Sequence, residues 1–221
     1  MKVRLISYSQ PYGEELYVGK DMQELVAYCA RVSNPSNQNN TETSTKLLHY
    51  LAKHKHWSPF EMVSACLEIE TTRDIARQIL RHRSFSFQEF SQRYADPLQD
   101  LEMVLNQDAR TQDDKNRQNS IEHDDVDLKM EWLKQQSEVK LAVKNAYEWA
   151  AKNNIAKEVR RAVLPEGLTV SRLYMNGTLR SWMHYIELRS GNGTQKEHRE
   201  VAIECAKVLK KVYPSIMDFI E

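Results

Sequence analysis

The stretch that decides the fold class is VDLKMEWLKQQSEVKLAVKNAYEWAAKN, residues 126–153. It contains no Gly or Pro, and apolar residues recur at intervals of four and seven, at Leu128, Trp132, Val139 and Val143. This is the spacing of one face of an α-helix. The pattern predicts a single long helix over residues 126–153.

Shorter elements of both kinds flank this helix. Alternation of apolar and polar residues predicts strands over residues 2–8, 61–70, 84–88 and 168–175. Spacings of three and four residues, with candidate caps, predict helices that begin at Asp21 and Thr71 and helices over residues 155–164, 178–188 and 194–213. Helices and strands are therefore mixed along the chain.

The composition favours one domain of this mixed class. Six Gly and six Pro in 221 residues are too few for the turns of an all-β sandwich or barrel. Apolar residues make up 41% of the chain, which is enough for one sizeable core. Residues 106–125 hold only Ala109 and Ile121 as apolar residues, which predicts a polar, flexible loop. We expect a single α+β domain, residues 1–221, with long helices.

The charges and cysteines limit the possible partners and the compartment. Lys plus Arg and Asp plus Glu number 31 each, so no net field attracts nucleic acid or an anionic membrane. No apolar run reaches the roughly 18 residues of a membrane span, and Arg4 interrupts the best candidate for a signal-peptide core. Cys29, Cys66 and Cys205 form no CxxC pair. These features predict a cytoplasmic protein with free thiols.

The arginines are concentrated in two windows without lysine. Residues 73–93 and 160–189 hold ten of the 15 arginines and none of the 16 lysines. Arg offers a planar, permanently charged fork of donors that suits phosphates and flat heterocycles. Arg73, Arg77 and Arg81 are also spaced four residues apart, where like charges on a helix repel unless a partner offsets them. The clustering indicates an anionic ligand.

Simpler interpretations exist for individual side chains. Ion pairs with nearby carboxylates would explain any one of these arginines, the candidates being Glu68, Glu70, Asp74 and Glu89. No metal site is predicted, because the neighbouring histidines lack a carboxylate at ligand spacing; these are His49, His54 and His56. The chain also has neither a Walker loop nor a GxGxxG turn.

The first arginine window carries a family motif. Arg81-His82-Arg83, followed by seven residues and Ser91 within RHRSFSFQEFSQRY, resembles the RHR-x7-S signature of flavin-dependent thymidylate synthases. The resemblance extends over most of the chain outside residues 106–125, through HWSPFE (56–61), RRAVLP (160–165), NGTLRSWMHYIELRS (176–190) and TQKEHRE (194–200). Gln88 stands where the family usually has Asn, and Gly193 stands where several members have His.

This resemblance implies reductive methylation of dUMP to dTMP. It implies a bound FAD, NADPH as its reductant and methylenetetrahydrofolate as the carbon donor, without a cysteine nucleophile. It also implies a homotetramer of mixed helix and sheet whose flavin sites lie between subunits. Four anionic ligands at one protein agree with the separate observation of clustered arginines.

The resemblance also implies roles for individual residues. Those implied to contact FAD are Ser58, Arg81, His82, Arg83, Glu89, Thr178, Leu179, Arg180 and His184. Those implied to contact dUMP are Gln78, Ile79, Leu80, Arg81, Glu89, Phe90, Ser91, Gln92, Arg93, Arg161 and Arg189. Arg189 is similar to the family's arginine beside the uracil ring, which implies a catalytic role, because a fixed cation stabilises charge that develops there.

Several of these side chains have other interpretations when the residues are considered alone. Glu89 lies inside an arginine cluster, so an ion pair competes with a role in ligand binding. Ser91 lacks an adjacent base, so we assign it to binding and not to nucleophilic attack. Phe85 and Phe87 fit a core or an interface better than a flavin-stacking role, as does Phe90.

Two other classes of function remain open on the sequence alone. Arg interleaved with Phe and Tyr across residues 81–94 could stack the bases of single-stranded nucleic acid, although the balanced charge opposes this. A helical assembly protein without catalytic chemistry is the second alternative, and it leaves the clustering of Arg without Lys unexplained.

Overall fold

The computed structural model describes residues 1–12, 21–106 and 108–219, which contain strands and helices of widely different length. The strands are β1 (Lys2–Tyr8), β2 (Ser64–Thr72), β3 (Ser86–Glu89), β4 (Arg110–Gln112), β5 (Ser120–Glu122) and β6 (Val170–Thr178). The α-helices are α1 (Met22–Ala30), α2 (Ser44–Lys53), α3 (Arg73–Ile79), α4 (Pro97–Asp100), α5 (Val126–Lys152), α6 (Lys157–Arg160), α7 (Leu179–Ser190) and α8 (Lys196–Leu209). Single 3-10 turns lie at Pro35–Asn37, Ser58–Glu61, Arg161–Val163 and Pro214–Phe219.

The central element is an antiparallel sheet with the strand order β1-β2-β6-β3. Strands β2 and β6 pair along their full length, from Ser64 opposite Thr178 to Thr72 opposite Val170. Strand β3 pairs with the other edge of β6, where Ser86 lies opposite Asn176. The mixed helix and sheet fold predicted from the sequence is confirmed.

One face of the sheet is buried against helices α3, α7 and α8. Alternate residues of β2 enter this core, because side chains in a strand point to opposite faces in turn; these are Ala65, Leu67 and Ile69. Trp182 of α7 is fully buried, and its indole N–H donates to the Ala65 carbonyl at 3.0 Å. The α7 helix is therefore fixed directly over β2 and β6.

The long helix α5 is confirmed, and much of its apolar surface faces solvent in the isolated chain. Asp125 caps it by accepting from the Leu128 N–H at 3.0 Å. Its exposed apolar side chains are Val126, Leu128, Met130, Trp132, Val139, Leu141 and Trp149. In the part of the chain described here, no helix is long and apolar enough to cross a membrane.

The segment predicted as a long exposed loop contains regular structure. Residues 110–122 form a hairpin in which Arg110 of β4 lies opposite Glu122 of β5. The hairpin is anchored to the start of α8 by ion pairs, including Arg110 to Glu197 at 2.6 Å. The prediction of a polar, exposed loop did not include this hairpin, because apolar content alone does not indicate a hairpin that is held by charges.

Other elements differ from the prediction at their ends. The helix predicted over residues 155–164 is only the single turn of α6 followed by a 3-10 turn. Helix α8 begins after Gln195 without a side-chain cap, so the predicted Thr194 cap is wrong. Asp21 does cap α1 as predicted, since its carboxylate accepts from the Glu24 N–H at 2.9 Å. All three cysteines are free thiols, and Cys205 is fully buried.

Candidate active site

The RHR motif lies in a tight turn between α3 and β3, which we call the RHR turn (residues 81–85). The chain leaves α3 through two consecutive hydrogen bonds between residues three apart. The Arg81 N–H donates to the Gln78 carbonyl, and the His82 N–H donates to the Ile79 carbonyl. The hydroxyl of Ser181, in the first turn of α7, donates to the Ser84 carbonyl at 3.2 Å. The turn is therefore held against α7, the helix that carries Arg180, His184 and Arg189.

A glycine in β6 makes room for the aromatic residue at the end of this turn. The Phe85 ring is nearly buried and lies 4.8 Å from the Trp182 ring, centroid to centroid. A Cβ atom at Gly177 would lie 2.4 Å from Phe85 Cδ1, closer than any real contact of that type. Position 177 must lack a side chain for Phe85 to hold the RHR turn where it is.

His82 and Arg189 are in direct contact. The Arg189 Nε–H donates to His82 Nε2 at 2.9 Å. Burial lowers the His82 pKa to about 4, and the charges of Arg189 and His184 act in the same direction. His82 is therefore neutral near pH 7, and because Nε2 accepts from Arg189, its proton lies on Nδ1. The Arg189 guanidinium lies in the last turn of α7, where the helix dipole favours a cation.

Gln78, at the end of α3, belongs to a partly buried polar cluster beneath the RHR turn. Its Nε2 donates to Gln195 Oε1 at 2.8 Å, and its Oε1 lies 3.2 Å from His198 Nδ1. His198 is fully buried, and its Nε2 lies 3.2 Å from the Tyr185 hydroxyl. The Tyr185 ring packs edge-on against His82, at 4.9 Å between centroids. The motif histidine and Gln78 thus share one supporting cluster.

The buried histidines should make the fold sensitive to acid. Burial, with the charges of Arg189 and His82, lowers the His198 pKa to about 3. Below about pH 6.5 this histidine is protonated in the unfolded chain but stays neutral in the folded chain. The free energy of unfolding therefore decreases as the pH falls below 6.5. We expect His198→Gln to reduce the slope of unfolding free energy against pH between 7 and 5 by up to about 1.4 kcal/mol per pH unit. Urea denaturation at several pH values measures this, and parallel slopes for the two proteins would contradict it.

The clustered arginines separate into two groups. Six of the ten pair with carboxylates, as the simpler interpretation expects; they are Arg73, Arg77, Arg93, Arg160, Arg172 and Arg180. The remaining four have no carboxylate partner within the described residues; they are Arg81, Arg83, Arg161 and Arg189. Each of these four belongs to the set predicted to contact ligands. Their uncompensated charge fits a group rich in phosphate.

A second group of predicted residues lies beyond the other end of β3. Arg93 pairs with the Glu158 carboxylate at 3.5 Å, and Arg161 donates from Nε to the Glu158 carbonyl at 3.3 Å. Ser91 is exposed and begins the turn that leads to Arg93. Four extended residues of β3 separate this group from the RHR turn, about 13 Å at roughly 3.3 Å per residue. One chain therefore presents the predicted ligand residues as two separate groups.

Comparisons with known proteins agree with the motif. Residues 15–215 match the family model described as thymidylate synthase complementing protein. A probable flavin-dependent thymidylate synthase of Paramecium bursaria Chlorella virus 1 is 46% identical over 216 residues, covering 98% of this chain and 97% of the relative. A flavin-dependent thymidylate synthase of Synechocystis is also 46% identical and is covered in full. The chain belongs to the flavin-dependent thymidylate synthases. The family predicted from the sequence is thus confirmed, and with it the prediction of an enzyme.

A solved structure supports the fold of this family member. A UMP/dUMP methylase from Streptomyces cacaoi, crystallised with 5-Br UMP, superimposes with a TM-score of 0.80. The match covers 99% of this chain and 92% of the other at 23% identity. At this low identity the match shows only that the two proteins share a fold.

The residues that the family resemblance assigns to FAD lie partly around one cavity. A cavity of about 280 Å³ is lined by Lys55, Trp57, Arg180, His184 and Glu187. Ser58 begins the 3-10 turn directly after Trp57. Thr178 caps α7 and also hydrogen-bonds to Glu61. This hydrogen bond and the nearby Arg180 lower the pKa of the Glu61 carboxyl. The aromatic and cationic lining fits a flat, anionic cofactor.

Several other predicted residues have structural surroundings that limit what they can do. The side chains of Ile79 and Leu179 lie in the hydrophobic core, so only their backbones could meet a ligand. Glu89 accepts from the Ser171 hydroxyl at 2.7 Å and lies 3.7 Å from Arg73. The competing ion-pair interpretation of Glu89 is therefore realised in this chain. The remaining members of the dUMP set are Leu80, Phe90 and Gln92, and of these Gln92 is nearly buried.

The cluster that supports Gln78 was not predicted from the sequence. Gln195, Glu197 and His198 all lie in TQKEHRE, which contributed to the family resemblance but was interpreted only as the start of a helix. The one available signal was a histidine on the apolar stripe of α8, three residues before Val201. That pattern is more often a core histidine than a functional one, so it could not be singled out.

Another cleft in the molecule has the wrong chemistry for these ligands. It measures about 340 Å³, and among the charged side chains of its lining the acidic ones outnumber the basic one, Lys2; they are Glu70, Asp74, Glu102, Asp108, Glu197 and Glu200. Such a lining repels phosphate groups. Among the described residues, no three His, Cys, Asp or Glu side chains are grouped as a metal ion would require.

Proposed function

We propose that the protein converts dUMP to dTMP by reductive methylation, with FAD as bound cofactor, NADPH as its reductant and methylenetetrahydrofolate as the carbon donor. The family membership supports the reaction class. The observation that supports these anionic ligands is the set of four arginines that lack carboxylate partners within the described residues, Arg81, Arg83, Arg161 and Arg189. Unpaired, permanently charged forks suit four phosphate-bearing or carboxylate-bearing ligands.

The cofactor is proposed to bind along the RHR turn and the start of α7. Arg81 and Arg83 are exposed and available for its pyrophosphate, while Arg180, His184 and Trp57 line the adjoining cavity. When bound, the flavin supplies the hydride that completes the new methyl group. The neutral His82 keeps its Nδ1–H as a donor, because Nε2 is already occupied by Arg189.

The nucleotide is proposed to bind between the two groups of residues. Arg93 and Ser91 supply a guanidinium and a hydroxyl for its phosphate, with Arg161 beside them. Arg189 is proposed to lie at the uracil ring, where its fixed charge stabilises negative charge that develops during the reaction. Its Nε contact with His82 fixes the plane of the guanidinium in advance of binding.

We further propose that the enzyme is a homotetramer whose sites are shared between subunits. Within one chain the Ser91–Arg93 group and the RHR turn lie at opposite ends of β3. The exposed apolar side chains of α5 provide a surface that a soluble protein ordinarily covers. Packing of copies along α5 would bury that surface and could bring the two groups together from different chains.

The absorption spectrum of the purified protein tests this function. We expect visible flavin bands that NADPH bleaches without oxygen and that dUMP perturbs. We also expect dTMP to form only when methylenetetrahydrofolate is added. A colourless protein that does not take up FAD would overturn the proposal, and tight binding of single-stranded nucleic acid by that protein would favour the alternative function.

A further inference from the structure

We propose that Glu197 fixes the direction of a partly buried hydrogen-bond chain, and that this chain holds the Gln78 amide in one orientation for binding the nucleotide. Glu197, Gln195 and His198 are then positioning residues of the substrate site. The inference rests on the proposed function only in taking dUMP as the ligand of Gln78. The chain itself is defined by contacts within the protein.

The contacts form one continuous path. The Gln195 Nε2 donates to Glu197 Oε2 at 3.0 Å, and the Gln78 Nε2 donates to Gln195 Oε1 at 2.8 Å. The path continues from Gln78 Oε1 to His198 Nδ1 and from His198 Nε2 to the Tyr185 hydroxyl, each 3.2 Å. It connects the start of α8 to the aromatic ring that packs against His82.

The direction of this path follows from the chemistry of its first member. An ionised carboxylate only accepts hydrogen bonds, so Gln195 must turn its NH2 group toward Glu197 and its oxygen toward Gln78. Gln78 must then donate to that oxygen, which leaves its own oxygen facing His198. An amide oxygen only accepts, so the His198 proton lies on Nδ1, and Nε2 accepts from the Tyr185 hydroxyl.

The surroundings of Glu197 keep it ionised. Burial raises the pKa of this carboxyl, but its own backbone N–H and the side chains of Arg110 and Gln195 outweigh burial and lower it. Arg110 donates to Glu197 Oε1 at 2.6 Å, and the Asn106 amide donates to the same oxygen at 3.3 Å. The hairpin of β4 and β5 therefore contributes to the site by holding this carboxylate.

The consequence for substrate is a fixed pattern of donors on Gln78. The Gln78 amide has two N–H groups and two lone pairs, and the path uses one of each. The unused N–H and lone pair then have fixed positions near the end of α3, three residues before Arg81. A nucleobase edge or a ribose hydroxyl would meet the same pattern in every molecule, without an amide flip on binding.

Glu197→Gln is the variant that tests this direction. The new amide can donate to Gln195, which allows every member of the path to reverse and moves the His198 proton to Nε2. Protonated and unprotonated ring nitrogens differ widely in ¹⁵N chemical shift, so ¹⁵N-histidine NMR reports the tautomer directly. We expect Nδ1–H alone in the unmodified protein and a mixture or reversal in Glu197→Gln, with the His198 signal assigned from its loss in His198→Gln.

Two further variants serve as controls. Glu200→Gln makes the same charge change one turn further along α8 at an exposed position, and should leave the tautomer and the KM for dUMP unchanged. Tyr185→Phe removes the donor at the far end, yet His198 should keep its Nδ1 proton because Gln78 still requires a donor there. If Tyr185→Phe shifted the tautomer and Glu197→Gln did not, Glu197 would not set the direction.

The kinetic result separates positioning from catalysis. Losing one well-aligned hydrogen bond should raise the KM for dUMP about 2- to 10-fold in Glu197→Gln, with kcat changed by less than about twofold. A tautomer that reversed without any rise in KM would overturn the link to the substrate. If the unmodified protein formed no dTMP, the proposed function would fail while the tautomer measurement still tested the hydrogen-bond path.

Discussion

Replacing Arg189 with Lys should lower the turnover of dUMP about 10²- to 10³-fold while FAD remains bound. Lysine keeps the positive charge but has no planar fork and no Nε–H at the position that now contacts His82 Nε2 at 2.9 Å. The cation would no longer be held in one plane at the proposed uracil site, and His82 would lose its fixed tautomer. Single-turnover formation of dTMP, with flavin absorbance as a measure of bound FAD, gives both quantities.

Arg93→Lys is the matched comparison, because Arg93 is proposed to act on the phosphate and not on the ring. Arg93 is exposed and pairs with Glu158 at 3.5 Å, so the exchange should chiefly raise the KM for dUMP. Arg189→Lys should thus mainly lower kcat, whereas Arg93→Lys should mainly raise the KM for dUMP. Equal increases in KM with kcat intact for both would mean that Arg189 only holds substrate, and its catalytic role would be abandoned.

Adding one methyl group at Gly177 should destabilise the fold by about 1–3 kcal/mol and release the flavin. The new Cβ would lie 2.4 Å from Phe85 Cδ1, and the ring cannot move away freely because Trp182 packs against it. Without the clash, alanine would stabilise a strand relative to glycine by roughly 0.5–1 kcal/mol. A decrease in the free energy of unfolding on Gly177→Ala would therefore indicate the clash. Urea denaturation and bound flavin per chain measure the two effects of Gly177→Ala.

Gly167→Ala supplies the control, because a Cβ atom there would meet nothing within 4 Å. Its stability should be unchanged or slightly raised. Combining Gly177→Ala with Phe85→Leu should recover part of the lost stability, since the smaller side chain removes the clash. A Gly177→Ala protein as stable as the unmodified one, with its full flavin content, would show that Phe85 does not fix the RHR turn.

The sequence predicted those parts of the fold whose signal is local. The uninterrupted spacing of α5 and the alternation in β2 both depend on neighbouring residues, and both elements were found. The hairpin at residues 110–122 was missed because its stability comes from Arg110 meeting Glu197, a contact between distant segments. The capping motif at Thr194 is a local signal, but the folded chain does not use it, because α8 begins after Gln195.

The candidate site shows the same division. The RHR motif and the arginine windows could be identified from the sequence, but which arginines would be neutralised could not. Arg93 and Arg180 look equivalent to Arg83 in sequence, yet each pairs with a glutamate from another part of the chain. The cluster of Gln78, Gln195 and His198 was invisible for the same reason, since its members meet only in the folded chain.

The long sequence separation within that cluster has a consequence for the order of folding. The Gln78 to His198 contact closes a loop of 120 residues, and the His82 to Arg189 contact closes one of 107. Closing such loops costs chain entropy, whereas a local helix such as α5 forms without closing a long loop. Helix α5 can therefore form early, and these two contacts can form only after Arg189 and His198 have been synthesised. During synthesis the RHR turn emerges long before Arg189 and α8 exist to support it. The nascent protein should therefore acquire its ligand affinity only after α8 has left the ribosome and docked.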